Sequence, residues 1–286
     1  MYEILVKEDL APVTKLFEIR APVVAQKATA GQFVIVRTDE EGERVPLTIA
    51  DYDREQGTIT LVFQEVGKTT MQMGTMQPGD YFASCTGPLG QPSEVENFGT
   101  VLCVGGGVGI APIFPIARDL KAAGNTVLSV IGARNKDLLF WEEKMRAVSD
   151  ELVVCTDDGS YGREALVTIP IKEMLEAGRP IEHIWAIGPA IMMKFCALTT
   201  QPFGVPTVVS LNSIMVDGTG MCGACRVEVG GQTRFVCVDG PEFDGHQVDW
   251  DQLLARQRIY LEQEQQAIER WQHECQCGDQ QGDNDV

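Results

Sequence analysis

An antiparallel β-barrel, a doubly wound parallel α/β sheet, a small cysteine-bearing segment and a C-terminal helix make up the α/β plus β fold that this 286-residue sequence predicts. Three observations predict it. Short apolar runs, closely spaced and broken by glycine, proline and acidic clusters, fill residues 1–97. From Gly99 the pattern changes to apolar strands that end in glycine and alternate with helical stretches. Beyond residue 208 one aspartate and three cysteines stand at a regular spacing, ahead of a long stretch without proline or glycine.

Residues 1–97 are expected to form the barrel. Gln32–Arg37, Val45–Ala50 and Thr58–Phe63 read as short strands, separated by the breakers Asp39-Glu-Glu-Gly42 and Gln77-Pro-Gly-Asp80. Arg44-Val-Pro-Leu-Thr-Ile49 puts a guanidinium and a hydroxyl on one strand, groups suited to a phosphate and a flavin ring edge. Val66-Gly-Lys-Thr-Thr70 places small residues and hydroxyls at an expected helix start, a second anion site. It is not a Walker A loop, because position 62 is valine where that motif needs glycine. The plain alternative is an edge strand and an N-cap without a ligand.

Residues 98–208 are expected to form the parallel sheet. Thr100–Val104, Thr126–Ile131, Leu152–Thr156 and Ile184–Ile187 are buried-strand runs, with helices over Ile113–Ala123 and about Leu138–Met145. Gly105-Gly-Gly-Val-Gly-Ile-Ala-Pro112 sits where the first strand turns into a helix. Glycines there let backbone amides approach a pyrophosphate, and the helix N-terminus favours the anion. Gly132-Ala-Arg134, Thr156-Asp-Asp-Gly-Ser-Tyr-Gly162 and Gly188-Pro-Ala190 follow the other strands on the same sheet edge. A tight turn explains one such loop; four on one edge point to a ligand.

Residues 209–250 carry Asp217, Cys222, Cys225 and Cys237 in a D-x4-C-x2-C-x11-C pattern. This is the plant-type [2Fe–2S] spacing C-x4-C-x2-C with aspartate in the first place. Carboxylate oxygen can ligate iron, although it is harder than thiolate. Gly218, Gly220 and Gly223 allow a loop with inward N–H groups. The alternatives are a structural zinc site, which normally shows two paired knuckles, or three buried thiols.

Residues 251–286 are expected to form a long helix, from Asp249 to about His273, and a disordered acidic tail from Gly278. Cys275 and Cys277 read as exposed tail thiols, the alternative being an added redox or metal site. Cys85, Cys103, Cys155 and Cys196 lie in or beside apolar runs and read as packing residues; His183, His246 and His273 read as structural or solvent-facing, and Met192-Met193 as core.

A formal charge of −18 argues against non-specific nucleic-acid binding. No apolar run of membrane-spanning length is present, and the acidic N-terminus does not read as a signal peptide. Nine cysteines without an export signal favour metal or redox chemistry and a cytoplasmic location.

Taken in order, R-x-P-L-T-I, V-G-K-T-T, G-G-G-V-G-I-A-P, T-D-D-G-S-Y-G and M-x-D-G-T-G-M-C-G-x-C resemble the ferredoxin–NADP reductase superfamily over residues 1 to about 260. Within it the chain is similar to the branch of dihydroorotate dehydrogenase electron-transfer subunits and sulfide dehydrogenase small subunits. It also resembles the small (alpha) subunits of NADH-dependent reduced ferredoxin:NADP oxidoreductases, the electron-bifurcating transhydrogenases. The most specific mark is Asp217, since the dihydroorotate dehydrogenase subunits are expected to keep four cysteines.

The resemblance implies FAD in the barrel, held by Arg44, Pro46, Leu47, Thr48 and Ile49 and by Gly67, Lys68, Thr69 and Thr70. It implies NAD(H) as substrate against Gly106, Gly107, Val108, Gly109, Arg134, Asp157 and Gly188, and a [2Fe–2S] cluster on Asp217, Cys222, Cys225 and Cys237. It also implies a larger partner resembling the small subunit of glutamate synthase, with a second flavin and [4Fe–4S] clusters, through which ferredoxin is reached. The chain would be the NAD(H) arm, and hydride transfer needs no acid or base side chain. Arg134 and Lys136 beside Asp137 leave the coenzyme open; acidity and resemblance lean to NAD. Rival readings are an electron-transfer subunit of a sulfide dehydrogenase, hydrogenase or dihydroorotate dehydrogenase, and a non-catalytic scaffold that shows no NADH-dependent flavin bleaching.

Overall fold

Seven strands build the first sheet of the computed structural model, which describes residues 2–282, with side chains through His273. They are β1 (Tyr2–Ala11), β2 (Thr14–Arg20), β3 (Phe33–Arg37), β4 (Val45–Asp53), β5 (Thr58–Gln64), β6 (Tyr81–Phe82) and β7 (Ser84–Leu89), in the order β6-β1-β2-β5-β4-β3-β7. All pairs are antiparallel. Only Ala83 separates β6 from β7, so the two edges meet and the sheet nearly closes into the expected barrel. The long β1–β2 pair, interrupted by charged residues in the sequence, joins the three expected runs. Phe17, Ile19, Ile49, Leu61, Phe63 and Phe82 fill the interior. Two short helices belong to this part, α1 (Pro22–Lys27) and α2 (Lys68–Thr75).

The second sheet contains β8 (Thr100–Gly106), β9 (Thr126–Ala133), β10 (Glu151–Thr156), β11 (Arg163–Glu164), β12 (His183–Ile187) and β13 (Thr207–Ser210), all parallel, in the order β11-β10-β9-β8-β12-β13. β8 has β9 on one side and β12 on the other, so the winding reverses there, the switch point at which such sheets bind ligands. Successive side chains of a strand face opposite ways. Val101 and Cys103 accordingly pack with α3 (Ile110–Ala122) and α4 (Glu142–Val148), and Leu102 and Val104 with α5 (Thr168–Glu176) and α6 (Ala190–Thr200). The helix expected from Leu138 begins at Glu142, because Lys136–Leu138 forms a separate 3-10 turn and Trp141 is left-handed at φ 56°.

The cysteine segment adds a hairpin, β14 (Arg226–Val229) and β15 (Gln232–Phe235), then the single turn α7 (Val236–Asp239) and β16 (Glu242–Asp244). β16 pairs antiparallel with β13 and becomes the seventh strand of the second sheet, and Cys225 and Cys237 share one core with Leu102 and Val209. Where one long helix is expected, the structure has two, α8 (Trp250–Gln257) and α9 (Leu261–Gly282). α8 is tied down by Arg256 Nη2 donating to Ala224 O (3.0 Å) and Gln257 Nε2 to Asn212 O (2.7 Å), whereas α9 leaves it to run against α2. α9 continues to Gly282; residues 283–286 and the side chains of Cys275 and Cys277 lie outside the described residues. No helix among the described residues is long and apolar enough to cross a membrane.

Candidate functional site

At the switch point, β8 ends at Gly106, Gly107–Gly109 forms a 3-10 turn and α3 starts at Ile110. Any side chain at Gly109 would run into the backbone oxygen of Ile187, so only glycine lets this turn meet the loop after β12. A pocket of about 610 Å³ opens over the turn. Gly106, Gly107, Val108, Arg134 and Asp157 line it; Gly109 and Gly188 lie beneath as packing glycines. Among the described residues, Arg134 and Asp157 are the charged ones in the lining. Burial holds the Asp157 carboxyl above its usual range, Asp158 adds to this and Arg134 opposes it. Lys136 is not in the lining; its ammonium lies 5.7 Å from the Tyr161 ring centre.

Sequence reasoning missed the apolar wall. Leu166, Ile191 and Phe195 line the pocket, each about half exposed at 58%, 49% and 52%, a degree of exposure that a bound ligand would relieve. In sequence they are indistinguishable from core positions of α6 and its neighbour. Met193 is core as expected, whereas Met192 lines the pocket. Gln64, at the end of β5, is the barrel's one contribution. The four packing cysteines are all buried. His183 stacks at 4.2 Å on Phe98, and His246 Nε2 bonds the Thr200 hydroxyl at 2.9 Å.

In the barrel, β4 alternates. Leu47 and Ile49 point into the core and can offer only backbone, while Pro46 and Thr48 are half-buried on the other face, after the exposed Arg44. Gly67 caps α2. The Thr70 hydroxyl accepts the Val66 and Gly67 N–H groups at 3.1 and 3.0 Å. The Thr69 hydroxyl donates to the Glu43 carboxylate at 2.5 Å, so a carboxylate already sits at this helix start, where the helix dipole favours an anion.

In the cysteine loop, Gly218, Gly220 and Gly223 are left-handed (φ 80°, 84° and 69°). Cys225 and Cys237 are buried with sulfurs 3.2 Å apart; Cys222 is exposed. The backbone amides of Ala224, Asp217 and Val216 lower the Cys222 thiol, while burial and then neighbouring Cys225 push Cys237 up to about 12. The Asp217 carboxylate turns to its own loop, accepting from Thr219 N (2.9 Å), Thr219 Oγ1 (2.5 Å) and Met221 N (3.2 Å). Among the described residues no three His, Cys, Asp or Glu side chains already form a metal-binding group. The donor set, three thiols and a carboxylate on a loop with three left-handed glycines, suits an iron–sulfur cluster.

Comparison with known proteins agrees with this chemistry. Residues 212–249 match the model of the iron-sulfur cluster binding domain of dihydroorotate dehydrogenase B. The chain is 52% identical over 269 residues, 94% of it and 95% of the relative, to a Thermotoga maritima dihydroorotate dehydrogenase B (NAD(+)) electron transfer subunit homolog. It is 34% identical to the corresponding electron transfer subunit of Geobacillus thermodenitrificans, covering 84% of this chain and 94% of that one. A chain in the structure of NADH-dependent reduced ferredoxin-NADP oxidoreductase, solved for insight into flavin-based electron bifurcation, superposes with a TM-score of 0.90 at 50% identity, covering 95% of this chain and 98% of that one.

Proposed function

Because the chain belongs to the family of dihydroorotate dehydrogenase B electron-transfer subunits, we propose that it is the NAD(H)-linked, electron-relaying subunit of a larger oxidoreductase, with FAD and a [2Fe–2S] cluster as cofactors. Bound FAD supplies the conversion of a hydride into single electrons, and the cluster carries them singly. The pocket that both halves share carries the reading: the switch-point turn of the second sheet faces Gln64 of the barrel. There the Gly106–Val108 backbone would hold the pyrophosphate, Arg134 and Asp157 the charged and ribose groups, and the apolar wall would exclude water. Pro46, Thr48 and Arg44 would face the flavin, with Leu47 and Ile49 contributing backbone, and Gly67–Thr70 would take its phosphates in place of Glu43. Asp217, Cys222, Cys225 and Cys237 would hold the cluster.

The complex is read as a ferredoxin-linked, electron-bifurcating NADH/NADPH transhydrogenase. Its larger partner would resemble the glutamate synthase small subunit, with a second flavin and [4Fe–4S] clusters, and would be the route to ferredoxin. The near full-length likeness at 50% identity and Asp217 in the first ligand place support this. The match over residues 212–249 favours a second reading, a dihydroorotate dehydrogenase complex. A cytoplasmic site suits the seven free cysteines among the described residues. The test is an anaerobic absorbance and EPR titration with NADH and then dithionite. Flavin bleaching by NADH and a rhombic [2Fe–2S] signal on reduction are expected; a colourless, iron-free protein would remove the reading.

A further inference from the structure

The residue that joins the three parts of the chain is a half-buried carboxylate with no place among the residues assigned to the cofactors. Glu242 opens β16, and its two oxygens are used by two different parts of the fold. Ser93, on the linker between barrel and second sheet, donates its hydroxyl to Oε1 at 2.5 Å; Trp185, fully buried on β12, donates Nε1–H to Oε2 at 3.3 Å. The barrel closes the third side, since a Cβ on Gly31 would meet both the Ser93 hydroxyl and Oε1. Burying a carboxyl is costly even when it is hydrogen-bonded, so it is poor evidence for stability and better evidence for holding one arrangement.

That arrangement runs along a seam. Gln91 N–H donates to Gly240 O at 2.7 Å and its side-chain amide to Val238 O at 2.8 Å, while Gly218 packs on Ile35 and Leu89 of the barrel. Residues 89–93 therefore run beside 238–242, and Val238 directly follows Cys237. The geometry points to Glu242 as the positioning residue that pins the Cys237 end of the cluster loop to the barrel and so sets the spacing between flavin and cluster. This rests on the flavin and cluster reading above. Glu242 is not among the residues assigned to either group; it acts through the seam, and no bond is made or broken at it.

Two measurements test this, one without cofactors. Hydrogen exchange on the unloaded chain should show peptides covering 89–93 and 238–242 exchanging about tenfold faster in Glu242→Ala, with Glu242→Gln at least as protected as wild type. The glutamine amide can accept from Trp185 and donate to Ser93, so the seam is kept. In the cofactor-loaded complex, Glu242→Ala should slow cluster reduction about tenfold while NADH bleaches the flavin at the wild-type rate, with rescue by Glu242→Gln. If Glu242→Ala does not fold, Ser93→Ala cuts the same joint from the barrel side and is read identically. Unchanged exchange along the seam, or equal slowing of both steps, overturns the proposal. Wild-type protein whose flavin NADH does not bleach overturns the underlying reading instead, and does so without any variant.

Discussion

The pocket at the end of β8 is walled mostly by backbone and apolar side chains, while residues 217–237 carry their chemistry on side chains. In the pocket, Gly109 is held against the Ile187 backbone and Gly106 against the Met192 thioether. There, Cys225 and Cys237 are buried side by side, Cys222 is exposed and the Asp217 carboxylate bonds its own loop. A site made of backbone is disturbed only by changes that reach the main chain; one made of side-chain ligands can be taken apart one donor at a time.

The sharpest way to break this contrast is to remove a ligand. Cys237→Ser should abolish the cluster, with iron content and the [2Fe–2S] EPR signal falling to background, while ADP-ribose affinity stays within about twofold of wild type. Asp217→Ala should lose or destabilise the cluster, whereas Asp217→Cys should retain it at a shifted potential. An unchanged EPR spectrum in Asp217→Ala would remove Asp217 from the site.

Next in size is the seam between the two regions. Burial raises Glu242 from 4.5 to about 7 against the hydrogen bonds from Ser93 and Trp185. Between these values the folded chain holds a proton at Glu242 that the unfolded chain has released, so this group's contribution to stability falls as pH rises from about 4.5 to about 7 and is constant outside that window. Glu242→Gln should abolish this slope and be the more stable protein at pH 8 by on the order of 3 kcal/mol, relative to the two proteins' difference at pH 4. Denaturant unfolding of the unloaded chain at both pH values measures it; parallel pH profiles would refute it.

Within the pocket itself, Gly109→Ala should cost about 1–3 kcal/mol and weaken nucleotide binding, because the new Cβ meets backbone that cannot retreat. Gly106→Ala meets only the Met192 thioether, which can swing aside, so it should cost under about 1 kcal/mol. Thermal unfolding separates the two; equal losses would mean that the pocket is not held by backbone contact.

The same contrast explains what was legible. β8, β9, β10 and β12 read directly, because buried parallel strands are apolar runs and each runs into a glycine-bearing loop. β1 and β2 did not stand out, since barrel strands with one solvent face carry Lys, Glu and Asp between their core residues. The spacing of Asp217, Cys222, Cys225 and Cys237 named the cluster chemistry, but nothing local shows which way each donor points. Ile191 and Phe195 were unreadable as pocket walls, because an apolar position on α6 looks the same whether it faces the core or a ligand. The break between α8 and α9 depends on where Arg256 and Gln257 find acceptors in the cysteine segment. Glu242 had no signal at all; only the fold brings Ser93 and Trp185 to it.

The smallest expected effect concerns the coenzyme. Arg134 and Asp157 are the two charges lining the pocket, and they pull opposite ways on a 2′-phosphate. An ionised Asp157 accepts well from a ribose hydroxyl but repels an added phosphate, and it competes for Arg134. Asp157→Asn should therefore raise the NADPH-to-NADH ratio of kcat/KM by about tenfold, roughly 1.4 kcal/mol, with more of the change in KM than in kcat. Because burial and Asp158 hold the Asp157 proton more tightly than usual, wild type should move toward the variant's ratio as pH falls, while Asp157→Asn keeps its ratio. Flavin bleaching rates with each coenzyme across pH measure both. A ratio indifferent to Asp157 and to pH would place the adenosine ribose away from this corner and leave the discrimination to backbone and shape.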